Sequence, residues 1–373
     1  MGPLAGVRVV ELAGFGPGPH AAMMLGDWGA DVVRIVRKAA DGTPQDLVGD
    51  AQLRNRTVVA ADLKSPDDVA ETLDLLRFAD VLIEGFRPGT VEKLGLGPRT
   101  VTTVNPQLIY ARITGWGQDG PRAATAGHDI NYVSVTGVLA AIGEPDRPSV
   151  PLNLIGDLSG GSLFLLAGIL AALHERTRSG LGQVLDVAMV DGISTLAQQI
   201  WSLRAMGVWE PQRSANLIDG GAPFYGVYEC ADGEFVAVGA LEHKFYEILV
   251  AGLGLDAAAL PDRDDRRRWP ELRQIFAQTF KAEPRDTWCA RFAGADACLT
   301  PVLSMDDALE EQQLRHRRLF ADPPHTMPAH TMPAQTMPAQ MFGRSRCAQP
   351  TPPGSRTAAL AEVIRQWTGD TDS

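Results

Sequence analysis

Residues 7–37 have the sequence VRVVELAGFGPGPHAAMMLGDWGADVVRIVR. An apolar run at 7–12 is followed by a Gly/Pro-rich turn, an apolar helical stretch at 19–28 and a second apolar run at 31–37. Short apolar runs without polar alternation are typical of strands that are buried on both faces of a parallel sheet. The stretch therefore predicts a strand, a turn, a helix and a second strand in that order.

The same alternation continues through the first third of the chain. Further strands are predicted at 57–63, 80–86 and 108–116, and Ser65-Pro66-Asp67 has the cap and proline that begin a helix. Strands that alternate with helices favour an α/β fold, here a Rossmann-like, doubly wound parallel sheet. Its ligands are expected at the carboxyl ends of the strands.

The rest of the chain predicts a division into two domains. Helices are expected at 130–141, 162–175 and 188–206, a hairpin at 224–241, helical segments after 242 and at 263–280, and a last helix at 357–367. We assign 1–205 to a large domain that is completed by a return at 340–373, and 220–322 to a small α+β domain. Residues 323–341 contain a TMPA repeat whose proline density excludes a helix, which predicts an extended linker.

Composition excludes several classes of function. The net charge of −11 argues against a general nucleic-acid binder. No uncharged apolar run reaches the roughly 18 residues that span a bilayer, and the most apolar stretch, 163–173, predicts a buried helix. Cys230, Cys289, Cys298 and Cys347 have no metal-binding spacing. We expect reduced thiols, no metal site and a cytoplasmic location.

The turn after the first strand, Gly14-Phe15-Gly16-Pro17-Gly18-Pro19, suggests a dinucleotide-binding loop, and Arg37 would suit the phosphate of NADP. The fingerprint requires glycine or alanine three residues after its second glycine, where this chain has Pro19. Proline has no N–H group to offer a phosphate. A tight strand-to-helix turn is therefore the better interpretation.

Three polar segments are candidates for chemistry: AGHDINY at 126–132, NLIGDLSGG at 153–161 and GALE at 239–242. Each has a structural explanation when taken alone. Asp129 and Asp157 lie at predicted helix starts, where aspartate is a favoured cap. Glu242 is an acid near the first turn of a helix, where the helix dipole favours it. Spacing alone leaves both interpretations open.

Together these segments resemble the α-methylacyl-CoA racemases, which belong to the family III CoA-transferase (CaiB/BaiF) fold. The resemblance extends from the first strand to about residue 320 and excludes the proline repeat. The matching stretches are ELAGFGPGPHAAMMLGDWGADVVRI, IEGFRPGTVEKLGLGP, ITGWGQDGP, AGHDINY, NLIGDLSGG and NLIDGGAPFYGVYECADGEFVAVGALE.

The resemblance implies a catalytic set. His128 and Asp157 would be the two acid–base groups on opposite faces of the α-carbon, Glu242 would hydrogen-bond the histidine, and Asn153 would support the aspartate. An α-proton beside a thioester is weakly acidic, so its removal needs a base with a suitable pKa. Two groups in different environments can act as base and acid in turn.

The resemblance also implies a site for the coenzyme A part of the substrate. Backbone N–H groups near Asp157 and Gly160-Gly161 are expected to stabilise the enolate oxygen. Arg37 would contact a phosphate, and residues 59–62 would line the adenine through their backbone. The full set of expected contacts is Arg37, Val59, Ala60, Ala61, Asp62, Glu84, Arg87, Lys93, Gly127, Asp129 and Tyr132.

Two alternatives to a racemase remain at this point, a CoA-transferase and a CoA-binding protein. Transferases of the same fold use the equivalent aspartate as a nucleophile that forms an acyl anhydride, and the pairing of GHD with GALE favours the racemase instead. The third possibility is a CoA-binding protein without catalysis. The resemblance further implies an interlocked homodimer and no required cofactor, because the thioester itself acidifies the α-carbon.

Overall fold

A computed structural model describes residues 2–45, 50–320, 351 and 356–369. The chain forms two compact units. The first contains Met1–Thr136, Leu152–Leu196 and Leu309–Ser373, and the second contains Gly137–Pro151 and Ala197–Ala308. The second unit thus begins earlier than the predicted small domain and takes in a separate loop. The predicted linker at 323–341 and Cys347 lie outside the described residues.

Ten strands and fourteen α-helices are present in the described residues. The strands are β1 (Arg8–Leu12), β2 (Asp31–Lys38), β3 (Pro44–Gln45), β4 (Arg56–Ala61), β5 (Val81–Glu84), β6 (Ile109–Thr114), β7 (Val184–Ala188), β8 (Tyr225–Glu229), β9 (Phe235–Gly239) and β10 (Leu299–Pro301). The helices are α1 (Pro17–Asp27), α2 (Pro66–Leu76), α3 (Thr90–Lys93), α4 (Pro98–Val104), α5 (Asp129–Val135), α6 (Phe164–Ser179), α7 (Met189–Leu196), α8 (Gln198–Ala205), α9 (His243–Gly252), α10 (Trp269–Phe280), α11 (Arg285–Arg291), α12 (Met305–Ala308), α13 (Gln312–His316) and α14 (Leu360–Thr368). A π-helical segment, Leu154–Leu163, precedes α6 directly.

The first unit is built on a parallel sheet, which confirms the predicted α/β fold. Its strand order is β4-β2-β1-β5-β6-β7, and the two-residue β3 pairs antiparallel with the end of β2. Strand order reverses between β1 and β5, so the crevice above these strands is the switch point where such sheets bind ligands. The turn that follows β1 lies at this crevice.

A buried ionic cluster ties β1, β2 and β4 together. Glu11 in β1 is 0% exposed, and its carboxylate accepts hydrogen bonds from Arg34 in β2 and from Arg56 Nε in β4, the latter at 2.7 Å. Arg56 also donates to the carbonyls of Gln52 and of Pro19, at the start of α1. One carboxylate therefore fixes three strands, and through Arg56 it also fixes the beginning of the first helix.

The C-terminal helix packs on the first unit. Leu360, Val363 and Trp367 of α14 belong to the same buried cluster as β1 and β2. Trp367 Nε1 donates to Asp31 Oδ2 at 2.7 Å, and residues 58 and 357 form a parallel bridge beside β4. The end of the chain thus returns to the sheet with which the chain begins.

The second unit has a separate core. Strands β10, β9 and β8 form an antiparallel sheet in that order, and the predicted hairpin at 224–241 is present as β8 and β9. Helices α9, α10 and α11 cover it with aromatic residues, among them Phe276, Phe280 and Trp288. Because this cluster is contained within the second unit, that unit has a hydrophobic core of its own.

Several predicted helices differ in the structure. The predicted helix at 188–206 is two helices, α7 and α8, and the one predicted at 130–141 ends at Val135. One helical segment in the described residues, Leu154–Ser179, is long and apolar enough to cross a membrane by length and composition. A single segment of this kind is weak evidence for a span, because core helices of globular proteins pass the same test.

We predict that Glu11→Ala lowers the free energy of unfolding by about 3–5 kcal/mol, because it leaves two buried guanidinium groups without their shared carboxylate. Urea denaturation followed by circular dichroism measures this. The control is Asp74→Ala, which removes a mostly exposed pair with Arg77 and is expected to cost no more than ~0.5 kcal/mol. Equal effects of the two substitutions would show that the buried cluster does not hold the sheet.

Candidate active site

His128 stands immediately before α5, at the N-cap position. Its backbone N–H donates to Asn131 Oδ1 at 3.0 Å, and its carbonyl accepts from the N–H of Asn131 at 2.8 Å. These contacts fix the backbone while the residue remains exposed. The imidazole is thus presented to a ligand from a fixed position in the first unit.

Asp157 lies in the π-helical segment, Leu154–Leu163, and is half-buried. The wide winding is visible at the preceding turn, where Leu158 N–H donates to the carbonyl of Asn153, five residues back. Asn153 Nδ2 donates to Asp157 Oδ2 at 3.4 Å. Segments of π-helix occur often at functional sites, because they place a side chain where a regular helix would not.

The glycine turn after β1 meets this aspartate. Gly16 has φ 72° and ψ −123°, a conformation that favours glycine, and a Cβ at this position would lie 3.5 Å from Asp157 Oδ2. Two further contacts join α1 to the π-helical segment: Gly161 packs on Pro17, and His20 Nδ1 lies 2.7 Å from Ser162 Oγ. The turn that resembles a dinucleotide loop therefore forms one wall beside Asp157.

Asp129 connects the two candidate catalytic residues. It is 7% exposed, and its Oδ1 accepts the backbone N–H of Asp157 at 2.7 Å. A Cβ on Gly156 would lie only 2.4 Å from that oxygen, so the glycine is needed for the close approach. The first turn of α5 and the π-helical segment are thereby joined directly.

The surroundings shift the pKa of Asp157. Burial raises the pKa of its carboxyl group, the hydrogen bond from Asn153 lowers it, the charge of Asp129 raises it and the charge of His128 lowers it, and the net direction is upward. His128 is therefore close enough to act on Asp157 electrostatically. The two residues that the sequence predicts as an acid–base pair both lie in the first unit.

Tyr132 and Gly127 complete this part of the site. The Tyr132 hydroxyl donates to the carbonyl of Gly127, and its ring packs edge-on against Trp116. Burial raises the pKa of Tyr132, Asp157 raises it further, and Arg87 lowers it. Arg87 is exposed and lies within electrostatic reach of this ring, so one of the predicted CoA contacts is near the acid–base pair.

The expected nucleotide contacts lie along β2 and β4. Arg37 is exposed near the end of β2 and is paired in register with Ala61, and Val59 and Ala61 are buried. Ala60 lines a cavity of about 470 Å³. The Asp62 N–H already donates to Asp68 Oδ2 at 2.7 Å, so this amide is not available to an adenine ring in this conformation.

Glu84 and Lys93 have different surroundings. Lys93 is exposed in α3. Glu84 is 0% exposed, accepts from Arg112 Nε at 2.7 Å and accepts from the Phe86 N–H at 2.8 Å. Because both carboxylate oxygens are engaged within the protein, Glu84 holds the turn before Arg87 rather than offering a free group to a ligand.

Glu242 belongs to the second unit. It is exposed and stands at the N-cap position of α9 without a side-chain capping bond. Arg263, which is mostly buried, donates to the carbonyl of the preceding Leu241 and lies over the rings of Phe224 and Tyr246. The loop that carries Glu242 is thus anchored from within the second unit, and its carboxylate is free for another partner.

The amides expected to stabilise an enolate oxygen do not serve that role here. The Asp157 N–H donates to Asp129, and Gly160 and Gly161 lie buried inside the helical segment rather than at its start. Donors near His128 in the described part of the chain are the N–H groups of Asp129 and Ile130 at the start of α5, since the first N–H groups of a helix have no acceptor within it.

No group of three or more His, Cys, Asp or Glu side chains suited to a metal ion occurs in residues 2–45, 50–320, 351 and 356–369. Three cysteines in the same ranges, Cys230, Cys289 and Cys298, are free.

Residues 4–357 match the model of CoA-transferase family III, and the chain belongs to this family. It is 47% identical to the alpha-methylacyl-CoA racemase of Mus musculus and 45% identical to that of Homo sapiens. Both alignments cover 85% of this chain and 82% of the relative. A CAIB/BAIF family protein from Brucella suis has a similar solved structure, with a TM-score of 0.74, 27% identity and coverage of 93% of this chain and 96% of that chain.

We predict that Asn153→Ala raises the pH at which Asp157 titrates. The substitution removes a hydrogen bond that the charged carboxylate accepts, and such a bond favours the charged form. The measurement is ¹³C NMR of protein labelled at aspartate carboxyl carbons, with Asp157→Asn to assign the resonance. A midpoint equal to that of the unaltered protein would mean that Asn153 does not support Asp157.

Proposed function

We propose that this protein is an α-methylacyl-CoA racemase, which interconverts the R and S epimers of 2-methylacyl-CoA thioesters. The observation that carries the proposal is the placement of His128 and Asp157 within electrostatic reach of each other, on two segments joined through Asp129. The identity of 45–47% to proteins named as such racemases supports the same reaction.

The proposed reaction has two proton transfers. One group removes the α-proton, and the C–H electron pair moves toward the thioester carbonyl and forms an enolate. The other group then donates its proton to the opposite face of the α-carbon, and the enolate electrons return to form the new C–H bond. His128 and Asp157 exchange roles between the two directions, so the reaction consumes nothing.

The environment of Asp157 suits the role of proton donor in this reaction. Because burial raises the pKa of its carboxyl group, the protonated form is populated at higher pH than for an exposed aspartate. His128 is exposed, so its imidazole is accessible to a substrate as the second proton-transfer group. The enolate oxygen would be stabilised by the N–H groups of Asp129 and Ile130 at the start of α5, beside the histidine.

The proposed CoA contacts are charged and apolar side chains that are exposed on the first unit. Arg37, Arg87 and Lys93 are exposed cations that follow or end strands at the carboxyl edge of the sheet. That edge is where α/β sheets bind ligands. Phe15, 84% exposed between two glycines of the turn beside Asp157, offers an apolar surface for an acyl chain.

We further propose that the reaction needs no cofactor, since the thioester carbonyl itself acidifies the α-carbon. The location we propose is the cytoplasm. The free thiols of Cys230, Cys289 and Cys298 support this location, because a reducing compartment keeps cysteines in that form.

The proposal includes a homodimer, with Glu242 as the hydrogen-bond partner of His128 either within one chain or from the second copy. The first unit leaves apolar side chains exposed on Leu154, Leu163, Phe164 and Leu196, and exposed apolar surface of this kind is typical of an interface. Sedimentation equilibrium is expected to give twice the mass of one chain. A monomer with full activity would contradict this part of the proposal.

The test of the function is incubation with (S)-2-methylacyl-CoA in deuterium oxide, followed by mass and chiral analysis. We expect deuterium at the α-carbon and appearance of the R epimer. We expect His128→Ala to lower the rate of epimer formation by about 10²–10⁴-fold, the usual contribution of a general acid–base group. The matched control is His174→Ala, which changes an exposed histidine of α6 and is expected to leave the rate unchanged.

The alternative is a CoA-transferase in which the Asp157 carboxylate attacks the thioester and forms an anhydride. The same incubation with an added carboxylic acid separates the two. Transfer of CoA to that acid without α-deuteration, and retained in His128→Ala, would make the protein a transferase.

A further inference from the structure

Asp129 is a buried carboxylate whose position is not explained by helix capping. It lies in the first turn of α5 and is 7% exposed, so it is not placed to contact a nucleotide at the surface. Its Oδ1 accepts the Asp157 N–H at 2.7 Å. Among the residues that the structure describes, its Oδ2 is buried without a hydrogen-bond partner. Leaving a carboxylate oxygen unsatisfied costs stability, which calls for a reason.

The surroundings of Asp129 are shaped to bring it to Asp157. Gly156 precedes Asp157, and any side chain at that position would overlap the carboxylate of Asp129. The π-helical winding carries Asp157 at the same turn, so its amide points toward α5 rather than toward a carbonyl of its own helix. Two features of the backbone, a glycine and a π-helical turn, thus serve one contact.

We propose that Asp129 is a positioning residue for Asp157, which fixes Asp157 relative to His128 by binding its backbone amide. The inference rests on the proposed racemase function. His128 and Asp129 are consecutive in the chain. The hydrogen bond from the Asp157 N–H to Asp129 therefore ties the backbone of Asp157 to the residue next to His128, and so limits the distance between the two proposed acid–base residues. An acid and a base on opposite faces of one carbon need such a fixed separation.

The charged groups around Asp157 decide the effect of pH. Asp129 raises the pKa of Asp157, His128 lowers it, and Tyr132 is itself influenced by Asp157 and by Arg87. The carboxylate of Asp129 therefore favours a protonated Asp157, which is the form that donates in one direction of the reaction. Removing only the charge of Asp129 is expected to favour the ionised form of Asp157.

The test compares two substitutions that separate geometry from charge. Asp129→Asn keeps an oxygen that accepts the Asp157 N–H but removes the charge. We expect most of kcat to remain. In the direction in which Asp157 removes the α-proton, we expect the low-pH limb of the kcat/KM profile to move to lower pH, because the pKa of Asp157 falls. Asp129→Ala removes both the contact and the charge. We expect kcat to fall about 10²-fold with little change in KM, as for a misplaced catalytic group.

The matched control is Asp191→Asn, which removes the charge of an exposed aspartate in the first turn of α7, in the same unit. It is expected to leave both the rate and the pH profile unchanged. Thermal unfolding of all variants shows whether Asp129→Ala folds, and if it does not, Asp129→Asn carries the test alone.

Titration of Asp157 by ¹³C NMR adds a readout that needs no turnover. A lower midpoint in Asp129→Asn than in the unaltered protein supports the inference even if the protein is found not to racemise its substrate. A wild-type enzyme without α-deuterium exchange would refute the proposed function alone. An unchanged midpoint in Asp129→Asn, or a rise of KM at constant kcat in Asp129→Ala, would overturn the positioning role.

Discussion

The buried carboxylate of Glu11 is the contact on which the site depends. It lies in β1 and binds arginines of β2 and β4, the next two strands on one side of the sheet, and Arg56 extends from it to the carbonyl of Pro19. A buried charge is retained only where it is paired and hydrogen-bonded, and this one has two partners. Its effect is to hold the start of α1 against the sheet, and with it the glycine turn that faces Asp157.

From that turn the constraints continue into the π-helical segment. Gly16 adopts a backbone conformation that places no side chain against Asp157, and Gly161 allows the segment to approach Pro17. Asp129 then joins the segment to α5. Each contact needs a glycine or a buried carboxylate in one place, so the two proposed acid–base residues, His128 and Asp157, are held by a continuous set of contacts that begins in the core of the first unit.

The sequence predicted the parallel sheet because short apolar runs without polar alternation are typical of strands that are buried on both faces. Strands β1, β2 and β4–β6 are present near the predicted residues. It did not predict the π-helical segment at 154–163, because the pattern of apolar residues does not distinguish π-helical winding from the approach to an α-helix. The predicted start at 162 therefore missed the turn that carries Asp157.

The sequence also anticipated only part of the arrangement of the candidate site. Of the residues that the resemblance singled out, Asn153 donates a hydrogen bond to Asp157, and the charge of His128 acts on Asp157. Asp129 and Glu84 were expected to contact CoA, but both are buried, and their hydrogen bonds are to the protein itself. Burial depends on tertiary packing, and a motif in one sequence does not reveal whether a carboxylate points outward or inward.

The same physical environment bears on the choice between the two chemistries of the family. A nucleophilic aspartate has to be ionised when it attacks a thioester, whereas the proposed racemase needs Asp157 protonated in one direction of the reaction and ionised in the other. Burial and the neighbouring charge of Asp129 both raise the pKa of Asp157, and the direction of that shift works against ionisation. An exposed histidine beside the aspartate adds a group for which anhydride formation has no need. The surroundings of Asp157 thus favour proton transfer over acyl transfer, independently of the names of the relatives.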